Sequence, residues 1–239
     1  MLWYKAWLET RARFLAALGA ILLLSSFQVL RGNGEADRHL LSLSWHYEVL
    51  HRAHSSLAML WVLAVSLLMM GGLIREMAVG ASDFTLALPV SRAQLMRVRI
   101  GMGFLQAITL AVAAWIVMFL LANLGGDARS LENAGWHLLL LVVGGSVFVS
   151  WALLVSTLIP GEYTAPAVCL GVVLLVVIVL GDPPLNQWSP SSLLTGNEYL
   201  NRRTMMLGGP IPWVRLTATV AMAALMAIGA VKVMQRREF

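Results

Sequence analysis

Six long apolar blocks, Phe14 to Leu30, Leu57 to Ile74, Ile100 to Leu124, His137 to Ile159, Ala165 to Gly181 and Trp213 to Val231, occupy most of this chain and confine its charges to the gaps between them. A helix needs about 20 apolar residues to cross the hydrocarbon core of a bilayer, with roughly 17 to 25 tolerated, and each block falls in or near that range. Inside hydrocarbon every peptide N–H and C=O must be paired within the protein, and blocks without strand-like alternation meet that demand only as helices. The expected fold is therefore all-α, a polytopic membrane protein built as a single transmembrane domain. Composition agrees: 59% of the 239 residues are hydrophobic and only 12% are charged, against about a quarter in soluble domains.

The formal charge of +5 does not point to nucleic acid, because the chain has just two lysines, Lys5 and Lys232, and its arginines are dispersed. The excess fits membrane orientation instead. With the amino terminus inside, Lys5, Arg11, Arg13, Arg75, Arg92, Arg97, Arg99, Lys232, Arg236 and Arg237 are cytoplasmic, ten against seven outside. Basic residues close to span ends favour the cytoplasmic face, so both termini are expected there, in a multi-pass plasma (inner) membrane protein. Trp45, Trp136, Trp188 and Trp213 fall near the outer boundary, and Trp3 and Trp7 near the inner one. The first block is longer than a secretory h-region and lacks a small-x-small cleavage site before Arg31, so it reads as a retained span. A single cysteine, Cys169, allows neither a disulfide framework nor a cysteine metal cluster within one chain.

Three segments between the blocks carry structure of their own. Residues 1–13 place Lys5, Glu9 and Arg13 at four-residue spacing, one charged stripe on a helix, with Trp3 and Trp7 turned elsewhere. Such a helix either lies in the membrane interface as a separate element or continues the first span; the interfacial form is the expectation. In the inner segment 75–99, Arg75 and Glu76 close the second span and Gly80 is a helix stop. Ser82 or Asp83 can cap a short helix bearing Phe84 and Leu88 on one face, and Pro89 ends it. Ser91 to Gln94 then forms a capping box, with Val90 and Leu95 as a hydrophobic staple, so a new helix starts at Ser91 and runs into the third span. Phe84 and Leu88 either dock onto another protein or fold back on the bundle. The outer segment 182–212 holds five of the eight prolines, which suits either a broken, half-buried re-entrant structure, the preferred form, or a solvated loop.

The run Arg75-Glu76, Gly80 and Phe84-Thr-Leu-Ala-Leu-Pro-Val-Ser-Arg92, on an inner loop between the second and third of six spans, resembles the permease subunits of type-2 ATP-binding-cassette (ABC) transporters. The segment Trp3-Tyr-Lys-Ala-Trp-Leu-Glu-Thr-Arg11 is similar to the interfacial elbow helix of that family. The resemblance implies an exporter permease whose coupling helix, carried by Glu76, Gly80, Phe84, Leu88, Pro89, Ser91 and Arg92, rests on a separate cytoplasmic ATPase, with a second coupling element at Gly161-Glu162-Tyr163. It implies an elbow comprising Trp3, Lys5, Trp7, Glu9 and Arg13. It further implies two ATPase copies that bind ATP and Mg, a second permease copy forming a homodimer or a pair with a related subunit, and a lipid, peptide or drug-like cargo.

The residues themselves narrow the alternatives. No Gly-x-x-x-x-Gly-Lys-Ser/Thr phosphate loop is present, so this chain is not expected to be an ATPase or to hold a cofactor. The middle four blocks hold no Asp, Glu, Lys or Arg, whereas an ion-coupled carrier binds its ion through such groups near midplane. Glu48, His51 and His54 recur every three residues but lack the spacing of a zinc site; a polar outer-loop helix is the far commoner source of such a pattern, and no metal site is expected. Gly144-Gly-Ser146 has no acid or base placed to activate the serine; its small residues suit close helix packing. No enzymatic activity is expected. The alternative function is a polytopic scaffold or assembly factor without a pumping role.

Overall fold

In the computed structural model, residues 2–36, 43–70, 91–124, 131–159, 164–180, 189–196, 199 and 212–236 are described. They form helices α1 (Leu2–Ala36), α2 (Leu43–Met69), α3 (Arg92–Leu124), α4 (Leu131–Leu158), α5 (Thr164–Val179), α6 (Pro190–Thr195) and α7 (Trp213–Arg236), and no strand occurs among them. The all-α expectation holds. Four stretches, Leu2–Gln28, Ala93–Val117, Gly135–Leu158 and Trp213–Arg236, are long and apolar enough to cross a membrane. Two further apolar helical stretches, Ser55–Met69 and Thr164–Val179, are shorter.

The boundaries correct the sequence reading in two places. α1 runs unbroken for 35 residues, about 52 Å at the ~1.5 Å helical rise, so no break sets residues 1–13 apart as an elbow. The reason is local: no glycine or proline interrupts the chain before Gly19, and the charged stripe is compatible with one straight helix. Second, α2 stops at Met69 with Met70 in a bend, ahead of the expected close near Arg75. Gly71-Gly72 follows immediately, and paired glycines are a stop signal.

The packing has α4 at its centre: 67% of its apolar window is buried inside the protein, against 17% for α1 and 22% for α7. Helix directions follow from which residues meet. Trp3 sits over Gly101 and Thr10 meets Gln106, so α1 and α3 run in parallel. Arg13 reaches Leu67 and Met70 while Gln28 bonds Ser56, so α2 runs antiparallel to α1. Leu140 packs with Leu216, and Leu154 approaches Gly229, so α4 and α7 are parallel.

Where lipid is as apolar as leucine, shape fit between helices carries the association that hydrophobicity supplies in water. Here large side chains enter notches made by glycine. The ring of Trp61, 1% exposed, lies against Gly145 and donates its indole Nε1–H to the Ala107 carbonyl at 3.0 Å, joining α2, α3 and α4. Met69 fills the space beside Gly103, and a Cβ placed on Gly101 would stand 2.6 Å from Cη2 of Trp3. Gly144 admits the backbone of α6, whose Leu194 nitrogen lies 3.4 Å from where a Cβ would be. The close-packing reading of Gly144-Gly145 is thus what the fold shows.

α6 is short but well made. Ser189 caps it by accepting from the Ser191 N–H at 3.2 Å, Pro190 takes the first position, and Gly196 closes it at φ 67°, a conformation glycine adopts without steric cost. Its buried Ser192, Leu193 and Leu194 face α4 well inside the apolar block that begins at Gly135. This part of segment 182–212 is therefore not a solvated loop.

Replacing Gly145 with valine should push atoms into the Trp61 ring and destabilise the fold by about 1–3 kcal/mol, read as a lowered unfolding temperature in detergent. Gly171, with nothing near its Cα face, is the control: Gly171→Ala should be neutral or stabilising by up to about 1 kcal/mol.

Candidate functional site

The start of α1, the end of α2 and the start of α3 lie together, at the two ends of the segment that the sequence marks as the coupling loop. α2 delivers the chain at Met70 and α3 takes it up at Ser91. The uptake is capped as the sequence predicts. The Gln94 N–H donates to Ser91 Oγ at 3.2 Å, and the Ser91 carbonyl accepts from Gln94 and Leu95 at 2.9 and 3.1 Å. Ser91 is exposed at this N-terminus, and Arg92 is the first residue of α3.

The delivery end is held differently. The last carbonyls of a helix lack partners within it and carry the negative end of its dipole. At the end of α2 two cations from neighbouring helices meet them. Arg13 of α1 donates through Nη1 to the Met70 carbonyl at 2.5 Å and to the Leu67 carbonyl at 3.4 Å, the second long enough to be weak. Arg99 of α3 donates through Nη2 to the Met69 carbonyl at 2.6 Å. Hydrogen bonds to charged groups contribute about 1.5–3 kcal/mol each where partly shielded from water.

Behind this junction α1 and α3 are joined again. Gln106, 3% exposed, donates through Nε2 to Thr10 Oγ1 at 2.7 Å, and that hydroxyl in turn donates to the Ala6 carbonyl at 2.9 Å. On the outer face of α1, Lys5 and Glu9 form an i,i+4 ion pair at 3.6 Å, its members 36% and 40% exposed, worth at most a few tenths of a kcal/mol. Trp7 packs edge-on to Phe14 with ring centroids 5.5 Å apart, while Trp3, Tyr4 and Leu8 stay exposed.

Of the residues expected to couple, Ser91 and Arg92 are thus placed at the start of α3. Glu76, Gly80, Phe84, Leu88, Pro89 and Glu162 lie outside the described residues. Trp3, Lys5, Trp7, Glu9 and Arg13 all lie on α1, where Lys5 and Glu9 pair, Trp3 and Trp7 pack, and only Arg13 reaches the junction. Sequence reasoning missed Arg99 and the acceptor role of α2. The signal was present: Arg13 and Arg99 each sit at the border of an apolar block, where a long cationic side chain can reach back to a polar edge.

No protein-family model matches the chain, and no curated protein matches it.

Ser91→Ala should remove the cap at a cost of about 1 kcal/mol, seen as roughly fivefold faster backbone hydrogen exchange in residues 92–98. Ser91→Asp should leave exchange there close to that of the unaltered chain, since aspartate caps equally well.

Proposed function

We propose that the chain is the membrane-spanning subunit of an ABC exporter, a permease that turns ATP hydrolysis by a separate cytoplasmic ATPase into movement of a lipid, peptide or drug-like cargo. The observation that carries the reading is the junction. Residues 71–90, which hold most of the Glu76 to Arg92 stretch that the resemblance makes the coupling helix, are joined at one side to a helix end gripped by two arginines and at the other to a capped helix start. A push on a segment mounted in this way is delivered to helices rather than absorbed by slack chain.

Six crossings fit the helix directions. α1, α2 and α3 alternate in direction, and α4 and α7 run the same way with α5 between them, as they must if each of these helices crosses once. α2 lies along α1 from Ser56 beside Gln28 to Met70 beside Arg13, so it shares the depth of a helix long enough to span. α5, at 16 residues, reaches about 24 Å and needs modest local thinning or flanking residues to complete its crossing. α6, inserted from the proposed outer side against Gly144, supports a re-entrant form for segment 182–212.

In this scheme both termini are cytoplasmic in the plasma (inner) membrane, two permease subunits pair, and two ATPases bind ATP and Mg. ATP-driven closure of the ATPases moves residues 71–90, and Glu162 in the short second inner loop gives a lesser contact. The described interior supports an uncharged path: its buried polar groups are Ser25, Ser66, Gln106, Ser150, Ser156, Thr157, Ser189, Ser192 and Thr219, none of them ionisable. That suits an amphipathic cargo better than an ion.

Phe84→Asp and Arg92→Glu should each cut co-purification of the companion ATPase by about tenfold, equal to ~1.4 kcal/mol of lost binding, without altering the size-exclusion profile of the chain. Full retention of the ATPase by both variants would overturn the docking role. In a Cys169→Ser background, a cysteine at Ser82 should label only after the membrane is permeabilised and one at Arg202 in intact cells; the reverse pattern would invert the topology.

A further inference from the structure

Five interhelical hydrogen-bonded links join three of the helices. Arg13 ties α1 to α2, Arg99 ties α3 to α2, Gln28 ties α1 to Ser56 on α2, Gln106 ties α3 to Thr10 on α1, and Trp61 ties α2 to the Ala107 carbonyl of α3. Each side of the triangle α1–α2–α3 therefore carries at least one such bond, and two of them meet at the end of α2 that leads into residues 71–90. The contact of α4 with α7 includes apolar surface, with Leu140 and Leu216 in one buried cluster and Leu154 near Gly229.

The chemistry of the two surfaces differs in how it resists motion. A directed bond from a guanidinium to a carbonyl is lost when its partners shift by an ångström, whereas an apolar contact has no such directional requirement. A displaced helix end held only by its own backbone would fray, because its last turn lacks internal partners. Held by cations from both neighbours, it moves only if they move with it.

We propose that Arg13 and Arg99 are positioning residues that clamp the inner end of α2 between α1 and α3, so that the three helices form one rigid body and carry a displacement of residues 71–90 into the membrane against α4 and α7. The clamp is a property of the chain alone; its use as a relay rests on the transport reading given above.

The full chain, with Cys169→Ser and pairs of spin labels, separates these points. One label sits at Lys232 on α7 and the other at Leu8 on α1, Leu67 on α2 or Arg97 on α3, all of them exposed positions. In the chain alone, Arg13→Ala with Arg99→Ala should broaden the Leu67–Lys232 distance distribution. Arg99→Lys, which keeps a donor for its single carbonyl, should restore most of the narrow distribution. An unchanged width in the double alanine variant overturns the clamp.

With the companion ATPase bound, a non-hydrolysable ATP analogue and Mg should shift all three distances together in the unaltered chain. In the double alanine variant the shift should persist at Leu67 and be lost at Leu8 and Arg97, while ATP hydrolysis continues. Three distances that move independently in the unaltered chain, or that still move together in the variant, overturn the relay. If nucleotide moves none of them although the ATPase is bound, the transport reading falls and the relay with it, while the width measurement still decides the clamp.

Discussion

A helix solves the problem of burying peptide groups in hydrocarbon everywhere except at its ends, and the end of α2 is where this fold commits to an answer. Its last carbonyls sit at the border of the apolar layer, just before Gly71-Gly72. The chain meets one of them itself, the Met70 N–H donating to the Leu67 carbonyl at 3.3 Å, and the Met69 and Met70 carbonyls are met from outside the helix. The partners come from the sides, as Arg13 and Arg99. Each guanidinium bonds carbonyls at the end of α2 and opposes the helix dipole at the same time. That arrangement ties both α1 and α3 to the end of α2, from which residues 71–90 start.

The remaining helices are ordered around that triangle by fit. Trp61 is the hinge of the packing because it is large, nearly fully buried and polar at one atom: its ring needs the flat surface of Gly145, and its N–H needs an acceptor, supplied by the Ala107 carbonyl. An alanine at 145 would already bring a Cβ into the ring. The neighbouring Gly144 does the same service for α6, so two consecutive glycines on α4 receive elements from two sides. In this way one short sequence feature sets how near both the α1–α2–α3 group and α6 can approach α4.

What could be read from the sequence follows from the range of the interactions involved. The start of α3 was legible to the residue, since a capping box is a local matter of Ser91, Gln94 and their own backbone. The packing role of Gly144-Gly145 was legible as a tendency, though not its partner, because Trp61 is brought there by the tertiary fold. The early close of α2 was legible in Gly71-Gly72 but was outweighed by the apolar run that continues to Ile74. The unbroken course of α1 was not legible because periodicity on residues 2–13 describes a face and does not say whether the helix breaks at its end. Arg99 belonged to a basic group that orientation alone explained, and its carbonyl partner lies 30 residues away.

The choice of arginine at both clamp positions is physically apt. A guanidinium presents several N–H donors in a fixed plane and stays charged under any accessible condition, whereas a lysine offers one hydrated point charge that loses more on partial burial. Arg13 reaches the Met70 carbonyl through Nη1, with the Leu67 carbonyl one turn back at 3.4 Å from the same nitrogen. Arg99 meets one carbonyl, Met69, from the opposite helix. The end of α2 is thus bonded to both of these neighbouring helices. Loss of either arginine would leave it bonded to one of them alone at this level.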